Sequence, residues 1–172
     1  MELQQQLKNE AISLGLCQQW QDEWGEPNVD ELINKYKRGI DFCIKHDFPS
    51  VDFLCKEFDR RDLNNHDIYV NDNIDIRANN GNREIILNGD CEGDIRLSGF
   101  ATAMIWVRHT SCVKIKLSEF ARVSIRVYDD TEVEVENRSH NRAYMYRYSN
   151  NAFIIEKGMI TVRDFFNNKI EY

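Results

Sequence analysis

Several kinds of segment are absent from this 172-residue sequence, and each absence excludes a class of protein. No apolar run approaches the roughly 20 residues that a membrane-spanning helix needs. The two prolines are too few for a disordered, proline-rich linker. The opening MELQQQLKNEAIS is polar, so we expect no secretory signal and no association with a membrane.

The spacing of a metal site is also absent. The five cysteines form no CxxC pair, and no histidine lies at zinc-finger spacing from them. An odd number of cysteines without a secretory signal fits a reducing compartment, where free cysteine mostly behaves as a small buried hydrophobic residue. We therefore expect no bound metal and a cytoplasmic location, in a bacterial host or in an infected cell.

Positive charge is scarce, since the net charge is −7. The chain has 22 basic residues (Lys and Arg) and 29 acidic residues (Asp and Glu). Up to His66 there are 8 basic and 13 acidic residues, and the rest of the chain has 14 basic and 16 acidic residues. Because non-specific nucleic-acid binding depends on a basic surface, nucleic acid is not an expected partner. Residues 96–147 carry nine basic and six acidic side chains, so this segment is compatible with the binding of a small anionic ligand.

The motifs of common enzymes are missing as well. No P-loop, GxGxxG, GxSxG or HExxH occurs. Ser111 and Cys112 lie near His109, but Cys112 begins a predicted strand with no orienting group, which favours an inert thiol. The sequence predicts no cofactor and favours a protein that is not an enzyme.

Helical periodicity covers the first sixty-odd residues. Asn28 is a predicted N-cap for a helix over residues 29–46, and Ser50 for a third helix after Pro49. The apolar stripe of the helix over residues 29–46 comprises Val29, Leu32, Ile33, Tyr36, Ile40, Cys43 and Ile44. Such stripes are typical of buried faces, so the sequence predicts a helical head over residues 1–66.

From Asp67 onward the apolar period changes to two, and short alternating segments follow at ten-residue steps. The predicted inward-facing positions are 103/105/107, 113/115/117, 123/125/127, 133/135 and 143/145. A further column of mostly small residues, in the connections, comprises Ala101, Ser111, Ala121, Thr131, Asn141 and Asn151. This repetition indicates either an antiparallel meander or a solenoid with two strands per coil.

Cross-strand pairing favours the solenoid. The connection SGFA returns as SEFA after twenty residues, and a twenty-residue coil places Lys114 and Lys116 beside Glu134 and Glu136. It also places Arg126 between the rings of Trp106 and Tyr146. A meander would instead set Lys114 opposite Arg126, and these two charges repel.

The predicted fold is therefore α+β: an N-terminal helical cap, then a short two-sheet β-solenoid with about 20 residues per coil. The predicted solenoid covers residues 67–172 and closes with a C-terminal cap. The ten-residue register slips after Ile155, and Phe165, Phe166 and Ile170 then follow a pattern unlike the repeats.

The segment VRHTSCVKIKLSEFARVSIRVYDDTEVEVEN, with YKRGIDFCIKHDFPS upstream and ITVRD downstream, resembles decapeptide-repeat proteins of gut bacteria and of their phages and prophages. The resemblance covers nearly the whole chain. It implies a repeat fold and a mobile-element setting, and it supplies no catalytic residues.

Two surfaces of the predicted solenoid are candidate sites. The first is an outward face that combines aromatic, Met and Arg side chains, a composition enriched at interfaces and able to stack sugars or bases. It comprises Met104, Trp106, Arg126, Arg142, Tyr144 and Tyr146. The alternative for this face is that the helical segment or a second protomer folds over it and buries it. The second is a turn edge that brings His109 towards carboxylates, where metal or acid–base chemistry competes with an ordinary role in turns. It comprises Asp90, His109, Asp129 and Asp130.

Three functions follow from these surfaces. The leading hypothesis is a non-catalytic interaction or structural module that binds another protein or a copy of itself through the aromatic and arginine face. The alternative is the binding of a small ligand, a glycan or a nucleotide, on the same face. The third is a metal-dependent enzyme that uses His109 and the carboxylates of the turn edge.

Overall fold

The computed structural model describes residues 2–166, which divide into two compact units. One unit extends to His66, and the other begins at Asp67. No helix in this described part of the chain is long and apolar enough to cross a membrane.

The described residues of the first unit form six helices. They are α1 (Leu3–Ser13), α2 (Gln18–Asp22), α3 (Val29–Arg38), α4 (Ile40–His46), α5 (Val51–Glu57) and α6 (Arg60–Asn65). The predicted caps are confirmed. Asn28 and Glu31 form a reciprocal capping box at the start of α3, in which each side chain accepts from the other's backbone N–H. The Ser50 hydroxyl accepts from the N–H of Phe53 and begins α5.

Three features of the helical unit differ from the prediction. The single helix expected over residues 29–46 is two helices, because the backbone leaves helical geometry at Gly39 (φ −99°, ψ 22°) and α3 ends there. Val29 is exposed instead of buried, at the first turn of α3. The short helix α6 was not predicted, and the Asp59 side chain caps it by accepting from the N–H of Arg61.

The second unit consists of parallel strands in two sheets, which confirms the predicted two-sheet β-solenoid and the α+β class. The strands are β1 (Ile68–Val70), β2 (Asn73–Ala78), β3 (Asn82–Asn88), β4 (Glu92–Leu97), β5 (Thr102–Val107), β6 (Cys112–Glu119), β7 (Arg122–Val127), β8 (Glu132–Ser139), β9 (Ala143–Arg147), β10 (Phe153–Gly158) and β11 (Ile160–Asp164). The odd-numbered strands form a six-stranded sheet and the even-numbered strands a five-stranded sheet, so successive strands alternate between the sheets.

The coil is twenty residues long in the middle of the solenoid and irregular at its ends. Ile85 pairs with Ile105, and Ile105 pairs with Ile125, so the central offset is twenty. Near the ends Ile68 pairs with Ile86 and Ala143 pairs with Ile160, which gives offsets of 18 and 17. The predicted slip of register at the C-terminal end is confirmed.

The space between the sheets is filled by the predicted inward columns. The buried residues are Ala103, Ile105, Val107, Val113, Ile115, Leu117, Val123, Ile125, Val127, Val133, Val135, Ala143 and Met145. In the connections Ala101, Ser111, Ala121 and Thr131 are also buried. Asn141 is only half-buried and Asn151 is exposed, so that column ends before the last coils.

The predicted C-terminal cap is described only in part. The ring of Phe165 lies 5.5 Å from that of Tyr148 and 6.0 Å from that of Tyr146. The Arg147 guanidinium donates two hydrogen bonds to the Asp164 carboxylate, 2.8 and 3.0 Å long. Ile170 lies outside the described residues.

Candidate functional site

The six-stranded sheet presents three columns of outward side chains, because residues alternate between its two faces. The columns are Asn82, Thr102, Arg122 and Arg142; Glu84, Met104, Ser124 and Tyr144; and Ile86, Trp106, Arg126 and Tyr146. All six residues of the predicted aromatic and arginine face belong to these columns. Their accessibility differs from column to column.

The third column contains the predicted ladder of two rings and a guanidinium. Arg126 pairs with Trp106 on one side and with Tyr146 on the other, and its Cζ lies 5.3 Å and 5.7 Å from the two ring centroids. The ladder is therefore confirmed. Trp106 is only 6% exposed, however, and Arg126 and Tyr146 are half-buried. This column supplies little open surface.

The first two columns line an open groove of about 620 Å³, which we call the basic groove. Met104 and Tyr144 lie along it and are 36% and 40% exposed. Arg122 and Arg142 lie beside them, two residues before the paired Ser124 and Tyr144. Three members of the predicted face thus belong to the groove: Met104, Arg142 and Tyr144. Arg122 is a lining residue that the sequence reasoning missed.

Three arginines line the basic groove; Arg83 is paired with Asp67, whereas Arg122 and Arg142 are poorly neutralised. The Arg142 guanidinium donates one hydrogen bond, 3.2 Å long, to the Thr161 hydroxyl. The Arg122 guanidinium has no hydrogen-bond or ion-pair partner among residues 2–166. Like charges on neighbouring strands destabilise a sheet, so an anion between the two guanidinium groups would relieve their repulsion.

A stack of exposed rings runs along the connections that precede this groove, and we call it the aromatic edge. The rings of Phe100 and Phe120 lie 5.2 Å apart and nearly parallel at 7°, and His140 lies 5.0 Å beyond Phe120. Phe100 is 74% exposed and Phe120 is 48% exposed. The aligned connections SGFA, SEFA and RSHN contain this stack, but the sequence reasoning treated them only as turns.

The turn edge around His109 uses its side chains to bind the backbone. His109 Nδ1 accepts from the Gly89 N–H at 2.9 Å, and Asp129 Oδ2 accepts from the His109 N–H at 2.8 Å. The Asp90 N–H donates to Asn71 Oδ1 at 2.8 Å. The backbones of Gly89, His109 and Asp129 all have positive φ, and Gly89 and His109 are each capped by the side chain of the residue twenty positions later.

This geometry favours a turn role for His109 and Asp129 over acid–base chemistry. Asp129 contacts the backbone of His109 through a carboxylate oxygen, and Asp130 is an exposed turn residue. Within residues 2–166 no three His, Cys, Asp or Glu side chains come together in a way that could hold a metal ion. Burial, together with the nearby Glu132, raises the pKa of the Cys112 thiol, which agrees with the prediction of an inert cysteine.

Comparisons with protein-family models, curated proteins and solved structures found nothing that matches this chain.

Proposed function

We propose that this protein is a non-catalytic binding module whose recognition surface combines the aromatic edge with the basic groove. Phe120 lies two residues before Arg122, and His140 two residues before Arg142, so the two features adjoin on successive coils. The expected partner is another protein or a second copy of this chain.

The exposure of the aromatic edge is the observation that carries this proposal. Phe100 and Phe120 leave large apolar rings in water, whereas the inward strand positions of the solenoid are filled by buried apolar side chains. Exposed apolar patches next to polar residues mark interaction sites more often than isolated exposed residues do. Phe, Tyr, Met and Arg are also the side chains enriched at protein interfaces.

The scaffold beneath this surface suits binding without rearrangement. Every outward column rests on parallel strands that are hydrogen-bonded to the coil before and the coil after. A partner would therefore meet side chains already held at their spacing, and little conformational entropy would be lost on association.

The test replaces Phe120 with serine and uses Phe153 as its matched control. Phe153 is 59% exposed at the start of β10, on the other sheet. We expect F120S to lose self-association in sedimentation velocity, or to lose a protein partner that both the wild type and F153S retain. If F120S and F153S behave alike in both measurements, the aromatic edge is not the recognition surface.

A second candidate function is the binding of a small anionic ligand in the basic groove. The specific observation in its favour is that the positive charges of the neighbouring Arg122 and Arg142 are poorly neutralised and lie next to the exposed ring of Tyr144. A nucleotide would place its phosphate between the guanidinium groups and its base against the ring.

Calorimetric titration with ADP tests this candidate. We expect R122Q to weaken ADP binding, and R138Q to leave it unchanged, because Arg138 is an exposed arginine of the other sheet that pairs with Glu136. Absence of ADP binding to the wild type, or equal loss in both variants, contradicts the candidate.

The setting of the protein remains a prediction. All five cysteines are free thiols, and Cys43 and Cys91 are buried, which supports a reducing cytoplasm as the working compartment. The phage or prophage origin rests on the sequence resemblance alone.

A further inference from the structure

A second, independent pocket lies within the helical unit. It has a volume of about 440 Å³ and is bounded by side chains of α1, α2, α3 and α4. Its walls include most of the apolar core of that unit: Leu7, Ala11, Leu16, Trp24, Leu32 and Phe48. The pocket therefore opens into the hydrophobic centre of the helices, which is a surrounding that apolar ligands require.

One buried polar group in the wall of this pocket has no partner. Trp24 is 92% buried, since its exposed fraction is 8%, and its indole Nε1–H finds no hydrogen-bond acceptor among the described residues. A buried donor without an acceptor is unfavourable, because its hydrogen bond to water is lost on folding and no hydrogen bond within the protein replaces it. Because Trp24 lines the pocket, we expect a bound molecule to supply an oxygen acceptor after a shift of the ring that exposes the N–H, which is closed to solvent in this structure.

The rim of the pocket is basic, although the unit as a whole is acidic. Lys35 Nζ lies 5.6 Å from the centroid of Trp24, and Arg38 Cζ lies 5.1 Å from that of Trp20. Lys45 also lines the pocket, and Asp41 is the one carboxylate among the described lining residues. Glu23 Oε2 lies 4.0 Å from Arg38 Nη2 and offsets part of this charge; the excess of basic over acidic lining residues favours a ligand with a negative group at its end.

We infer that the helical unit binds an amphipathic monocarboxylate, with the apolar chain in the pocket and the carboxylate at the basic rim. A volume of about 440 Å³ holds roughly 15 non-hydrogen atoms at ~30 Å³ each. Dodecanoate is about this size. The inference concerns the helical unit alone and does not depend on the recognition surface of the solenoid.

Two cysteines provide a direct readout of occupancy. Cys17 and Cys55 are both exposed, but only Cys17 lines the pocket. We expect dodecanoate, below its micelle-forming concentration, to slow the alkylation of Cys17 by iodoacetamide and to leave Cys55 unchanged. Equal protection of both thiols, or protection of neither, overturns the inference.

Calorimetry on variants locates the ligand. A11F fills the pocket, whereas I12F adds the same ring to the exposed neighbour on α1. We expect A11F to abolish dodecanoate binding and I12F to preserve it. W24F keeps an aromatic ring without the indole N–H and should weaken binding about three- to tenfold; circular dichroism would check the folding of each variant.

Dodecyltrimethylammonium, which has the same chain and the opposite charge, tests the role of the rim. We expect it to bind at least tenfold more weakly than dodecanoate. Equal affinity for the two probes overturns the carboxylate preference. Binding of dodecanoate to A11F as tightly as to the wild type overturns the site itself.

Discussion

Lys114 and Glu134 lie side by side on neighbouring coils of the solenoid, with Lys114 Nζ 2.9 Å from Glu134 Oε1. Their separation of twenty residues equals one full coil. Lys157, from the next coil, donates to the same carboxylate oxygen at 2.9 Å. Hydrogen bonds from Lys157 and Lys114 lower the pKa of Glu134 from 4.5 to about 2. The hydrogen bond to Glu134 in turn raises the pKa of Lys114.

The first prediction is a pH dependence of stability that originates at Glu134. A carboxyl group whose pKa is lowered in the folded state stabilises that state above its unfolded pKa of 4.5, and the contribution is lost as the pH falls towards about 2. Urea unfolding should therefore show the wild type to be more stable than E134Q at pH 7 and at pH 5. The difference should shrink between pH 4 and pH 2. A difference between the two proteins that is as large at pH 2 as at pH 7 would contradict this.

The second prediction concerns the stacked isoleucines of the core. Ile125 is fully buried and pairs with Ile105 and Met145 on the neighbouring coils, so I125A leaves a cavity in the middle of the column. We expect a loss of about 2–5 kcal/mol in the free energy of unfolding. The adjacent outward change S124A should cost less than ~0.5 kcal/mol. Urea denaturation followed by far-UV circular dichroism measures both, and equal losses would refute the assigned faces.

The third prediction separates a turn role of Asp129 from a catalytic one. D129A removes the acceptor for the His109 N–H and leaves a positive φ of 54° on alanine, so we expect a loss of about 1–2 kcal/mol. Its exposed neighbour Asp130 provides the control, and D130A should change stability by less than ~0.5 kcal/mol. Equal stability of D129A and the wild type in denaturant unfolding would contradict the turn role of Asp129.

The fourth prediction is that neighbouring carboxylates slow the reaction of Cys112. The strand register places Glu92 and Glu132 on either side of Cys112, and burial together with these acids raises the pKa of its thiol. Because the thiolate is the reactive form, E132Q should be alkylated by iodoacetamide at Cys112 faster than the wild type at pH 8. An unchanged rate, measured by peptide mass spectrometry, would contradict the electrostatic explanation.

The solenoid could be predicted from sequence because charged residues as well as apolar residues repeat with its period. Apolar alternation alone is compatible with pairing at ten or at twenty residues. Lys114 and Lys116 distinguish the two, since only the twenty-residue register places them beside Glu134 and Glu136. The core columns follow directly, because inward positions alternate along each strand.

Other features depend on geometry that periodicity does not contain. The stripe from Leu32 to Cys43 is continuous in sequence, yet the helix divides at Gly39. Trp106 shares its outward direction with Met104 but is buried, so alternation predicted the direction of the side chain and not its exposure. The twenty-residue register already places Phe100 beside Phe120, but the exposure of the two rings and their parallel stacking depend on the geometry of the turns.

Site-specific photocrosslinking tests the central claim, that the aromatic edge is occupied by a partner, most directly. The reactive analogue p-benzoylphenylalanine would replace Phe120 in one protein and Phe153 in another, and both proteins would be irradiated in cells that encode the natural protein. We predict a covalent adduct with a distinct protein, or with a second copy of this chain, from position 120 and not from position 153. No adduct at position 120, or the same adducts from both positions, would contradict the claim.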